Sequence, residues 1–170
     1  MRTSVLFIGG RSGVGKTSVA AEMHAQLSRL DVKHCWIEGD FLDMAHPPTW
    51  EHGLAERNLA AMWENYRALG YARLIYTNTA SVAFTESFVS AMGDDAEVTA
   101  VLLSATDAIA ERRLAGREIG SALAEHVERS AERGRWLEAT APPWVHRLPT
   151  DDESVASIAA EVLSRTGWSE

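Results

Sequence analysis

The sequence predicts an α/β domain: a five-stranded parallel sheet with a layer of helices on each face. Three observations carry this reading. Short apolar runs alternate with longer stretches of helical periodicity, the pattern of βαβ units. Most of the runs are continuously apolar rather than alternating, which suits strands covered on both faces. The chain has 170 residues, enough for one domain with a substantial core.

The elements follow in order. "SVLFIG" at 4–9 is the first strand, and a helix over 15–29 places Val19, Met23 and Leu27 on one face. "KHCWIEGD" at 33–40 is the second strand. Pro47 and Pro48 forbid regular structure until about Trp50, because proline lacks an N–H and restricts its predecessor. A helix then runs to about Leu69, with Leu59, Met62, Tyr66 and Leu69 as its apolar stripe and Gly70 as its stop. "ARLIYTN" at 72–78 is the third strand, followed by a short helix over 82–92. "VTAVLLS" at 98–104 is the fourth, followed by helices from Thr106 to near Gly116 and from about Ser121 to Leu137. "WVHRLP" at 144–149 is a short fifth strand. In the closing helix Thr150 and Glu153 have capping-box spacing, and Gly167 stands at the far end. Ligands in such sheets bind at the carboxyl ends of strands, which selects the loops at 9–16, 38–50, 77–81 and 104–107.

Composition narrows the partners. A formal net charge of −8 argues against a broad nucleic-acid face. The single cysteine, Cys35, excludes an internal disulfide and a cysteine metal cluster and reads as a core residue. No apolar stretch reaches membrane-span length, and "MRTSVLFIGG" does not read as a signal peptide. The expectation is a cytoplasmic protein, monomer or homodimer, with small-molecule partners, no nucleic acid and no membrane. Lys16 and Lys33 are the only lysines among 16 basic residues, and Lys16 sits in a glycine loop.

That loop, Gly10-Arg11-Ser12-Gly13-Val14-Gly15-Lys16-Thr17, fits G-x-x-x-x-G-K-[ST] in full. Glycines let the backbone curl so that successive N–H groups point at phosphate oxygens. The following helix, with Ser18 in its first turn, adds free N–H groups and the positive end of its dipole. Lys16 brings a compact charge to the β- and γ-phosphates, and the Thr17 hydroxyl ligates Mg²⁺. The motif therefore predicts a P-loop NTPase three-layer fold that binds ATP with Mg²⁺.

The rest of the chain narrows the class. A guanine-reading N-K-x-D motif is absent, since valine precedes Lys33. Strand three ends "IYTNTAS" without the acid that hydrolytic ATPases use, while strand two ends in "WIEGDFLD" with Glu38, Asp40 and Asp43. Here the chain resembles the small P-loop metabolite kinases: gluconate, shikimate and adenylylsulfate kinases and chloramphenicol phosphotransferase. Those families carry an acid-x-acid pattern after strand two, which Glu38-Gly39-Asp40 matches. The resemblance implies sheet order 2-3-1-4-5, Asp40 facing the acceptor hydroxyl, and Glu38 helping to hold magnesium through water. A carboxylate there can orient a hydroxyl and accept its proton. Asp43 is a helper or a cap.

"ERRLAGREIG" at 111–120 resembles the arginine-rich lid of the same kinases, with Arg113-Leu114-Ala115-Gly116-Arg117 in R-L-x-x-R spacing. By resemblance Arg113 stacks on adenine and Arg117 reaches the transferring phosphate. The other reading is a solvated basic helix face. As a lid, 112–120 is expected to order on ligand binding, within a lid region of about 112–138. The chain departs from gluconate kinases after the lid arginine ("REIGSALAEH") and from shikimate kinases after strand three ("TNTAS"), so neither substrate follows.

A segment of about 41–69 is expected to cover the acceptor. Trp50 offers a stacking surface. Arg57 stands where related kinases place an anion-binding arginine, or is solvated. Asn78 and Thr79 end strand three with polar groups for an acceptor. His46 and His52 lack the spacing of a metal pair. The reading is a Mg-ATP-dependent kinase of a hydroxyl on a small polar metabolite or antibiotic. The alternatives are a nucleoside monophosphate kinase and a slowly ATP-hydrolysing regulatory protein.

Overall fold

The computed structural model describes residues 2–116 and 123–169. Five parallel strands form one sheet in the order β2-β3-β1-β4-β5. They are β1 Ser4–Gly9, β2 Cys35–Glu38, β3 Arg73–Thr77, β4 Glu97–Ser104 and β5 His146–Pro149. The helices are α1 Lys16–Arg29, α2 Leu54–Ala68, α3 Thr85–Met92, α4 Asp107–Ala115, α5 Leu123–Thr140 and α6 Val155–Ser164.

The two-fold alternation of side chains along β1 builds two cores. Val5 and Phe7 face α2, α3 and α5, while Leu6 and Ile8 face α1 and α6. All four are fully buried, as expected of a central strand covered on both sides. Cys35 and the α1 residues Val19, Met23 and Leu27 are buried as the sequence predicts.

Three local expectations are corrected. The apolar stripe of α2 is Ala55, Leu59 and Trp63, not Leu59, Met62, Tyr66 and Leu69. Met62 and Leu69 are exposed, and Tyr66 is only partly buried. Both patterns have helical period, and the docking of the bulkiest ring decides between them. Trp63 is fully buried, and its indole N–H donates to Asp94 Oδ2 at 2.7 Å. The helix also starts later than Trp50: a 3-10 turn covers Trp50–His52, and Gly53 at φ 58 separates it from α2.

The capping box of the last helix is different too. Ser154 is its N-cap and accepts from Ser157 N at 3.1 Å. Thr150 is instead buried, with its hydroxyl donating to Val14 O at 3.0 Å and Ser104 O at 3.1 Å. The helix ends at Ser164, so Gly167 (φ 65) turns the chain after it and delivers Trp168 to the core. Gly70 (φ 79) does end α2 as expected, and Lys33 Nζ donates to the Leu69 carbonyl there at 2.6 Å.

Candidate active site

The glycine loop connects β1 to α1 at the carboxyl edge of the sheet. Gly10, Gly13 and Gly15 have φ of 140, 90 and 98. At Gly13 a side chain is excluded twice over, since a Cβ there would lie 2.7 Å from the Ala110 carbonyl oxygen of α4. Three of the loop's carbonyls are engaged by the surrounding fold. Ser12 O accepts from Ser130 Oγ at 2.9 Å, Gly13 O from Arg113 Nη1 at 3.3 Å, and Val14 O from Thr150 Oγ1 at 3.0 Å. Arg11 is buried and donates to Ala105 O at 2.9 Å while pairing with Asp107 at 2.7 Å. The N–H groups of Ser12, Gly13 and Gly15 make no hydrogen bond within the described residues. Backbone donors without a partner among the described residues, beside carbonyls engaged elsewhere, have the form of an anion cradle.

Lys16 opens α1 and is buried at 8% exposure. Its ammonium donates to Gly10 O at 2.8 Å and lies 3.7 Å from Asp40 Oδ2. Asp40 arrives because β2 ends at Glu38 and a 3-10 turn, Gly39–Phe41, folds the chain back over the sheet edge. Thr79 fixes its carboxylate with its N–H on Oδ1 at 2.8 Å and its hydroxyl on Oδ2 at 3.2 Å. Glu38 points to α1, where Thr17 Oγ1 donates to its Oε2 at 3.0 Å. Its other oxygen, Oε1, is buried and has no partner among the described residues.

Beyond Asp40 lies a cavity of about 670 Å³. Asp40, Trp50, Asn78 and Thr79 line it, so four residues singled out from sequence meet there. Asp43 lines it as well. Part of Asn78 is committed to its own turn, since its Oδ1 accepts from Ala80 N at 2.9 Å. Arg57 is exposed on α2 and does not line the cavity; its neighbour Glu56 does. Glu56, Phe84, Phe88 and Arg133 escape the sequence reading. Phe84 and Phe88 stand four apart just after the β3 loop, a signal that the strand-end rule would have caught; Arg133 had none.

Under the site, the Tyr76 hydroxyl is buried without a partner among the described residues. Burial pushes its titration far up, helped by the charges of Asp40, Asp43, Glu56 and Glu38. Arg113 does not point away as a solvated face would. Besides Gly13 O it donates to Thr150 Oγ1 at 3.0 Å and Thr150 O at 2.8 Å. These bonds lie in the guanidinium plane, which leaves only its faces for stacking. Arg117 and Gly120 fall outside the described residues. Ser18 lies half-buried in the first turn of α1.

No protein-family model matches this sequence, and no curated protein does. Solved structures do match over nearly the whole chain. The tunicamycin resistance protein of Deinococcus radiodurans aligns with a TM-score of 0.66 at 19% identity, covering 98% of this chain and 96% of the other. A gluconokinase from Sinorhizobium meliloti gives 0.60 at 19% identity, covering 96% and 92%. The APS kinase of Mycobacterium tuberculosis, solved with AMPPNP and APS, gives 0.58 at 19% identity, covering 96% of each chain. The fold is that of the small P-loop kinases. In this P-loop kinase fold the glycine loop, the β2 acids and the β3 end share one sheet edge, as the strand order requires. Among the described residues no helix is long and apolar enough to cross a membrane.

Proposed function

We propose that this protein is a Mg-ATP-dependent kinase that transfers the γ-phosphoryl group to a hydroxyl of a small polar molecule. The observation that carries the reading is the double placement of Asp40. Its carboxylate stands 3.7 Å from the loop lysine and also lines the adjoining cavity. A group that prepares an acceptor hydroxyl for phosphoryl transfer has to stand between those two places.

The open N–H groups of the loop and Lys16 would hold the phosphates of ATP. The acceptor hydroxyl would give its proton to Asp40 as its oxygen bonds to phosphorus, while the bond to the bridging oxygen breaks and ADP leaves. Thr17 and Glu38 are hard oxygen donors, and the unpartnered Glu38 Oε1 fits a cation beside them. Among the described residues no cluster of three or more His, Cys, Asp or Glu is placed to hold a metal. Mg²⁺ keeps several waters and is held chiefly through substrate phosphate, so it needs few protein donors. When bound it would offset charge on the transferring group.

The lid assignment for about 112–138, with Arg113 and Arg117, and the acceptor cover at about 41–69 belong to the same proposal. So do the single-domain organisation and a cytoplasmic location, where Mg-ATP is supplied. A nucleoside monophosphate kinase has less support, because Arg57 does not line the cavity. The names of the three structural neighbours point to different acceptors, so they do not choose one.

The test is ATP turnover with and without a panel of hydroxyl compounds, with Lys16→Ala as control. Turnover should rise sharply with an acceptor and require Mg²⁺. It should vanish in Lys16→Ala while circular dichroism stays unchanged. Normal turnover in that variant, or stimulation only by a macromolecule, would overturn the proposal.

A further inference from the structure

The cavity beside Asp40 is large and unevenly charged. At about 670 Å³ it lies in the range of sites that take drug-sized ligands. Trp50, Phe84 and Phe88 give it an aromatic wall. Phe84 is half exposed at its lip and stacks on Trp136 of α5, with centroids 6.1 Å apart.

Three carboxylates face the same space: Asp40, Asp43 and Glu56. Asp40 is answered by Lys16 at 3.7 Å. Asp43 and Glu56 have no cationic partner among the described residues, and Glu56 Oε1 accepts only from Ser87 Oγ at 3.2 Å. Among the described residues Arg133 is the one basic lining group, and its guanidinium lies 5.0 Å over the Trp136 ring. Among the described residues two acids lining the cavity thus have no cationic partner, against one arginine engaged with an aromatic ring. An anionic acceptor would approach like charges, whereas an ammonium would be attracted by both acids and by the aromatic faces.

We infer that the acceptor is a cationic amphipathic compound, carrying the reacting hydroxyl, an amine and an apolar or aromatic body. The inference rests on the kinase reading above and chooses among its acceptors, setting sugar acids and nucleoside monophosphates aside. Asp43 and Glu56 are assigned as the groups that select for the amine, and Trp50, Phe84 and Phe88 as the wall for the apolar body.

The experiment is a thermal-shift screen of the full chain with AMPPNP and Mg²⁺, followed by product mass spectrometry with ATP. The probes are hydroxyl compounds sorted by charge and apolar content. They are amine-bearing antibiotics with aromatic groups such as puromycin, their N-acetyl forms, gluconate, and AMP. Hits should come from the amphipathic amines, and N-acetylation should weaken them. Asp43→Asn and Glu56→Gln should each weaken a cationic hit about tenfold, with AMPPNP affinity measured alongside to expose any misfolding. Hits confined to gluconate, AMP or other anions overturn the inference, as does a screen in which no amphipathic amine binds. Equal affinity for a hit and its N-acetyl form also overturns it. Each of those outcomes leaves the kinase reading standing, whereas failure to bind AMPPNP at all would sink that reading first.

Discussion

Thr79 grips both oxygens of Asp40, its N–H on Oδ1 at 2.8 Å and its hydroxyl on Oδ2 at 3.2 Å. The loop after β3 therefore aims the carboxylate in the turn after β2. Thr79→Val keeps the N–H bond and removes the hydroxyl. It should lower kcat by about tenfold to a hundredfold, the worth of one hydrogen bond to a charged group, with little change in KM for ATP. Asp40→Asn should lower kcat by about 10²- to 10⁴-fold. Steady-state kinetics with the true acceptor checks both. A loss confined to ATP affinity would assign Asp40 to the metal instead.

Gly39 has no room for a side chain, because a Cβ there would lie 2.4 Å from the Tyr76 ring and hydroxyl. Gly39→Ala should destabilise the fold by about 1–3 kcal/mol through overpacking and displace Asp40. Tyr76→Phe should be neutral or stabilising, since the hydroxyl it removes is buried without a partner. Thermal unfolding of both variants checks this. A large loss in Tyr76→Phe would mean that the hydroxyl has an internal water partner.

Arg113 joins the loop to the β5–α6 turn through Gly13 O and Thr150. Arg113→Ala should lower stability by about 1–3 kcal/mol, because it strips donors from part-buried acceptors. For a chain of this size each kcal/mol is about 2–4 °C in Tm. Arg113→Lys should recover little, because an ammonium cannot span the planar set. Calorimetry without nucleotide separates this structural role from any contact with ATP.

His34 is buried and donates from Nδ1 to Val32 O at 2.7 Å, so its Nε2 accepts from His24 Nδ1 at 2.8 Å. Burial holds its titration below the usual histidine value, with lesser help from His24 and Arg73 and against the Val32 bond. The unfolded chain therefore takes up a proton at higher pH than the folded one, near about pH 6.5. Stability from this pair should be complete above that pH and decline as pH falls through the lower folded value. His34→Gln should flatten the decline. An unchanged slope of Tm against pH in that variant would remove the pair from the account.

The sequence by itself determined the architecture and the order in which the candidate site's loop and acids follow the strands. Short continuous apolar runs such as "SVLFIG", with β-branched residues and closed by glycines, read as strands buried on both faces. A glycine-lysine-threonine loop between such a strand and a helix has the spacing and context of a phosphate cradle. These signals are local, written in neighbouring residues. Which face of α2 is buried was not local: the stripes through Met62 and through Trp63 have the same period, and only docking on the sheet chose Trp63. Thr150 read as a helix cap because its spacing to Glu153 is right, yet the fold uses its hydroxyl to hold the loop at Val14. Arg133 and Glu56 reach one cavity from α5 and α2. No spacing in the chain encodes that meeting, because it depends on how two helices settle on one sheet and where their side chains then point.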